Sequence, residues 1–419
     1  MDMPRKQRSR TAIRRCLYVI AALSTLVLIS LQIGAGHLSA AEMLSSAAYK
    51  RISKLQEVAE SGDHKQAKNL AEAALAKNKG GAYERAITLQ LLSHSVAALG
   101  DYLAAANALD EALSLEALDP VSARSVRFDL ARLYIAAGDL DRGLVLLEAW
   151  FKVAENPSPD AFMLLAQIYA QKADYTKALP PAESAVRLSQ QPREEWYRFL
   201  SALHYEVGNI VGMASILRTM ISHWSQKGRY WSRLAWAYES LDKPAEARAV
   251  LEMANKQGVL VEEEQLMRLA RLYIHEGVPA RAARVMRQGL DDQIIEGTAE
   301  NWTMLADALG RAENQDLAIE ALERAVNLTS SSALHIRLAQ AYLGGEQWSD
   351  VVRVAQKGLS KKEAKKGGEL YLALGIAQFR LGEKKAAQQA LERATRDKKT
   401  KKGAEQWLAL LPRPGNLDP

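Results

Sequence analysis

Apolar residues along this chain recur at offsets of three and four, the period of a helix face rather than the alternation of a strand. The pattern is itself repeated. Residues 130–138 read LARLYIAAG and residues 269–277 read LARLYIHEG. In both, a small residue (Ala131, Ala270) is followed three positions on by tyrosine and seven positions on by glycine. The same register fits Leu55, Ser93, Ala166, Ser201, Ala235, Ala306, Ala339 and Gly375, giving ten units spaced 33 to 38 residues apart. Twelve residues after each anchor stands a residue that is usually small, among them Ala67, Ala105, Gly143, Ala178, Ala247 and Ala282. Four further on the chain is mostly apolar, and three beyond that it is often alanine again. Each unit therefore predicts a helix, a short turn built on Gly-Asp, Gly-Asn or Gly-Glu, and a second helix. Pro180 and Pro181 fall inside one such second helix and should kink or delay it.

A helix–turn–helix period of ~34 residues with this pattern resembles the tetratricopeptide repeat. Phe162, Leu165, Ala166, Tyr169, Ala178, Ala182 and Ala185 match that family almost position by position, as do Trp231, Leu234, Ala235, Tyr238, Ala247, Leu251 and Ala254. The resemblance spans roughly residues 48–398. It implies an all-α solenoid, a right-handed superhelix of about ten repeats. The physical reason is independent of the family: small residues let paired helices approach, large ones fill the gaps, and stacking makes one continuous core. With 12 prolines among 419 residues and no segment that reads as strand, composition agrees.

The N-terminus reads as an export segment. Residues 1–15 carry six Lys/Arg and one acid, and CLYVIAALSTLVLISLQI then runs 18 residues without charge. Ser39 and Ala41 follow in a small-x-small arrangement, as at a cleavage site. The expected organisation is a signal peptide or signal-anchor at 1–41, a repeat array at 42–398, and a basic spacer, capping helix and Pro-rich tail at 399–419. The expected location is the periplasm, soluble after cleavage; the alternative is inner-membrane anchorage with the repeats on the periplasmic side. Cys16, the one cysteine, lies in the export segment, which leaves the repeats without disulfides or thiolate chemistry.

That segment also explains the charge. The chain has a formal net charge of +6, yet outside residues 1–15 it holds 49 basic against 48 acidic residues, so no nucleic-acid footprint is expected. One asymmetry persists: residues 357–402 hold 14 Lys/Arg and five Asp/Glu. This stretch is either a solvated cap or a contact for an acidic partner or anionic lipid.

Catalytic patterns are missing. The histidines beyond the export segment, His64, His94, His204, His223, His275 and His335, include no i,i+4 pair with an intervening glutamate. There is no phosphate-binding loop and no GxSxG, so no enzyme, metal or cofactor is expected. Trp231, Trp302, Tyr169, Tyr238, Tyr273 and Tyr342 occupy packing positions. Trp236 lies one residue after its anchor, on a first-helix face that lines the concave groove in the resembled family. Arg132, Gln167, Ala202, Arg271, Asp307, Gln340 and Ile376 are its equivalents, and Arg198 and Tyr205 lie on the first helix of the fifth unit. This mixed, variable face suits one extended or helical protein partner, though an ordinary solvated face reads the same way.

The last unit, followed by TRDKKTKKGAEQWLALL, resembles exported repeat proteins accompanying TonB–ExbB–ExbD systems of Gram-negative bacteria, over roughly residues 369–411. The resemblance implies an adaptor in energy transduction to outer-membrane receptors. The residues themselves read Ala404–Leu411 as a cap helix whose Trp407 covers the last repeat, with Trp407 as a partner anchor the alternative. The alternative is a scaffold for polysaccharide export or cell-wall assembly.

Overall fold

The computed structural model describes residues 44–77, 80–329, 331–360 and 367–411. Residues 1–43, with Cys16 and the expected export segment, the lysine run at 361–366 and the prolines at 412 and 414 lie outside the described residues. Among the described residues there are 21 helices and no strand. They pair as ten hairpins in two compact units, one ending at His223 and one beginning at Trp224.

The first unit holds α1 (Ser46–Glu60) with α2 (His64–Ala76), α3 (Ala82–Ala98) with α4 (Tyr102–Ser114), and α5 (Pro120–Ala136) with α6 (Leu140–Val153). It continues with α7 (Pro159–Gln171) and α8 (Tyr175–Leu188), then α9 (Glu194–Glu206) and α10 (Ile210–His223). The second holds α11 (Gly228–Ser240) with α12 (Pro244–Lys256), α13 (Glu263–His275) with α14 (Pro279–Asp291), and α15 (Ala299–Arg311) with α16 (Gln315–Asn327). It ends with α17 (Ser332–Gly344) and α18 (Trp348–Leu359), α19 (Gly368–Arg380) and α20 (Lys384–Ala394), and the single helix α21 (Lys401–Leu408).

The sequence register is the packing register. All ten anchors are buried, as are all ten residues twelve positions later and all ten residues four beyond those. At Gly143 a Cβ would meet Ile135 Cγ1 at 2.5 Å and the Ala131 carbonyl at 3.1 Å. Hairpin partners therefore touch at the anchor, and the third repeat has no room for a methyl group there.

The turns show why glycine recurs seven residues after the anchor. In all ten hairpins that residue has a positive φ: Gly62, Gly100, Gly138, Ala173, Gly208, Asp242, Gly277, Glu313, Glu346 and Gly382. At Gly138, the glycine N–H donates to the Ile135 carbonyl and the next N–H, of Asp139, reaches back to the Tyr134 carbonyl. This is the left-handed helix termination that glycine adopts without penalty. Asp139 then caps the next helix, accepting from the Arg142 N–H at 3.0 Å. Asp63, Asp101 and Asp174 do the same, and Asn209 and Asn314 substitute for them. Gly-Asp thus ends one helix and starts the next within two residues.

Two expectations need correction. Pro180 and Pro181 do not delay α8, which begins at Tyr175 on its Asp174 cap and runs through both to Leu188. Pro181 and Ala182 pack into the core beneath, so tertiary burial outweighs the lost hydrogen bonds. The cap helix starts at Lys401 rather than Ala404. Trp407 does pack onto the last repeat, its ring 5.5 Å from Phe379, beside a cluster of Leu391, Ala394 and Ala404.

Ala247 is fully buried whereas Ala249 is exposed. Ala247→Leu should therefore cost ~1–3 kcal/mol and Ala249→Leu a few tenths, read as urea midpoints. At the turns, Ala173→Gly relieves a strained φ of 60° and should stabilise the first unit by ~0.5–1 kcal/mol. Gly138→Ala should do the opposite. A thermal shift with both signs reversed would contradict this account of the turns.

Candidate functional site

Two surfaces matter: the joints between successive repeats, and the first-helix face on which a partner was expected. Four of the nine joints follow a rule that the sequence reading missed. A carboxylate 17 residues after one anchor meets the aromatic three residues after the next anchor. The Tyr134 hydroxyl donates to Asp110 and the Tyr169 hydroxyl to Glu148. Tyr342 donates to Glu323 at 2.6 Å, and Tyr273 is hydrogen-bonded to Glu252. Each ring also carries a cation: Arg142 lies 4.3 Å from the Tyr134 ring centre, Lys177 5.8 Å from Tyr169, and Arg353 5.9 Å from Tyr342. Arg248 and Arg281 flank Tyr273 at 5.8 and 5.9 Å. Burial, then the carboxylate partner, pushes the Tyr169 and Tyr342 phenols up to about 12. They remain donors at any physiological pH.

The fifth repeat departs from the rule. His204 takes the tyrosine's place, with Nε2 3.7 Å from Glu183. That is within ion-pair range and beyond hydrogen-bond range. Its Nδ1 is buried without a partner. Burial lowers the His204 pKa, against the opposing pull of Glu183. His94 is also lowered, first by burial and then by His64, whose ring stands edge-on at 5.7 Å.

The predicted partner residues are dispersed along the first helices. In the first unit Arg132 on α5 is half-buried and pairs with Asp129 of its own helix at 3.4 Å. Burial raises the Asp129 carboxyl despite that guanidinium. Gln167 on α7 and Arg198 on α9 are half-buried, and Tyr205 is exposed. In the second unit Trp236 on α11 is half-buried rather than fully solvent-facing. Arg271 on α13, Asp307 on α15 and Gln340 on α17 are exposed. Asp307 is ion-paired with Arg337 of the next first helix, so adjacent first helices lie within side-chain reach. Arg268 makes a comparable bridge, donating to the Ser232 carbonyl at 3.3 Å and lying 3.7 Å from Glu239. The residue types change from repeat to repeat while the backbone position is constant. Among the described residues no group of three or more His, Cys, Asp or Glu is arranged to hold a metal, and no helix is long and apolar enough to cross a membrane.

Family models described as tetratricopeptide repeat match residues 96–168, 299–331 and 368–396. Over those residues the chain matches the tetratricopeptide repeat. Among solved structures it is similar to a tetratricopeptide repeat protein from Parabacteroides merdae, with 17% identity, 71% of this chain and 100% of the other covered, and a TM-score of 0.36. The C-terminal part of a TPR repeat-containing protein from Cytophaga hutchinsonii shares 12% identity over 66% of this chain and 95% of that one, with a TM-score of 0.38. YrrB, described as a TPR protein with an unusual peptide-binding site, shares 16% over 46% and 94%, with a TM-score of 0.36. No curated protein matches the chain.

The joints are testable by double-mutant cycle. Tyr342→Phe removes a donor from a partly buried carboxylate and should cost ~1.5–3 kcal/mol. In a Glu323→Gln background the cost should fall below ~1 kcal/mol; full additivity in denaturant melts would count against the joint.

The histidines set a pH dependence. Folded imidazoles with lowered pKa bind fewer protons than the unfolded chain, so their stability contribution is complete above the unfolded value of about 6.5. It is lost as pH falls through the folded values. Urea midpoints should drop between about pH 7.5 and 5.5, and less steeply in His94→Gln/His204→Gln. An identical slope in that variant would assign the effect to other groups.

Proposed function

We propose that this protein is an exported scaffold whose repeats hold one protein partner along the first-helix face. The observation that carries the reading is the variable row Trp236, Arg271, Asp307 and Gln340, presented at one backbone position on successive first helices. Tetratricopeptide repeats imply protein–protein interaction. The row supplies what an extended or helical segment requires: spaced aromatic, cationic, anionic and amide groups. In the first unit Arg132, Gln167, Arg198 and Tyr205 extend the reading.

Export to the periplasm is supported by the basic-then-apolar text of residues 1–33 and the small residues Ser39 and Ala41. The narrower role, an adaptor for a TonB–ExbB–ExbD complex, rests on the resemblance of residues 369–411. A scaffold for polysaccharide export or wall assembly is the competing role.

Photo-crosslinking in cells from Arg271 and Gln340, with Met253 on a second helix as control, tests these readings. The expected result is one dominant protein adduct from the first-helix positions alone, weakened by Arg271→Glu at unchanged melting temperature. Equal labelling from Met253 would contradict the first-helix face. A TonB-complex component as adduct favours the adaptor, and a polymer synthase the alternative.

A further inference from the structure

The C-terminal end of the second unit carries a separate surface, beyond the protein-partner reading. After α20 the chain makes a tight turn into α21, reading RDKKTKK from 396 to 402. Thr400 anchors it: its side chain is buried and its hydroxyl donates to the Ala394 carbonyl at 2.7 Å. The Asp397 carbonyl accepts from the N–H groups of Thr400 and Lys401, at 3.1 and 2.9 Å. With Thr400 held inward, Lys398, Lys399, Lys401 and Lys402 are all exposed, as are Arg393 and Arg396. Of these six cations, Lys401 alone has a carboxylate within ion-pair range among the described residues, Glu405 at 3.9 Å.

Cations inside the array are used differently. Arg248 bridges Glu252 and Glu276, Arg353 reaches Glu323 and Asp350, and Arg287 reaches Glu320 of the next repeat. Carboxylates of the same helix or of a neighbouring repeat pair with them. Among the described residues the tenth hairpin is followed by the single helix α21, and the turn into it carries lysines. Lysine presents a compact point charge on a flexible stem, which adds to a positive field without needing one fixed bidentate partner. Leu410, exposed two residues beyond α21, adds an apolar group to the same end of the chain.

We propose that the lysine turn between α20 and α21 is a contact site for an anionic phospholipid surface. Clusters of four or more cations have the charge for that role. Flotation of the full chain with phosphatidylcholine vesicles, with and without phosphatidylglycerol, tests it. Neutral vesicles register any contribution from the apolar N-terminal segment, which is common to all variants. The expected result is a gain on phosphatidylglycerol that high salt abolishes. Replacing Lys398, Lys399, Lys401 and Lys402 with glutamine should cut it at least ~10-fold at unchanged circular dichroism. The charge-retaining Lys→Arg version should keep it, which separates lost charge from lost packing. Equal phosphatidylglycerol binding by the glutamine variant would overturn the proposal. So would capture of inorganic polyphosphate without any vesicle gain.

Discussion

The structure depends on one contact made ten times, the crossing of paired helices where at least one of the two positions carries little or no side chain. Ala131, Ala166, Ala235, Ala270 and Ala339 are fully buried at the anchors, and Ala67, Ala105, Ala178, Ala247 and Ala282 are fully buried twelve residues later. Interiors pack at crystal-like density, so a carbon added here presses on a neighbouring side chain and on the backbone behind it. At Gly375 a Cβ would sit 2.6 Å from Leu391 Cγ and 3.2 Å from the Leu391 nitrogen. The two-residue turn is a consequence. Helices held this close are joined by so little chain that the first must end in a left-handed residue and the second must be capped at once.

Given the hairpins, the joints between them add direction and charge. Apolar stacking alone would tolerate small rotations of one repeat on the next. A tyrosine hydroxyl fixed on a carboxylate, with a cation over the ring, allows far fewer arrangements. At other joints the pairing is replaced. Where the seventh repeat has Arg287 instead of an acid, the eighth has Leu309 instead of tyrosine, and Arg287 bonds Glu320 at 2.8 Å instead. His204 is the joint whose strength depends on pH, because an imidazole near a carboxylate changes charge where a phenol does not.

The sequence by itself determined the number of hairpins, the register of the small residues and the turn positions. Those features rest on local spacing: period within a helix, period between repeats, and glycine where the backbone turns left-handed. The Trp407 cap was legible for the same reason, as a large apolar residue just past the last repeat. Only the tertiary structure decided which side chains meet across repeats. The Tyr134–Asp110 and Tyr169–Glu148 pairs are 24 and 21 residues apart, and their offsets acquire meaning once one hairpin is laid against the next. It also decided that α8 absorbs two prolines, that Trp236 is half-covered, and that Asp307 is tied to Arg337. Burial and long-range pairing are sums over neighbours distant in the chain, and no local pattern of residue types contains them.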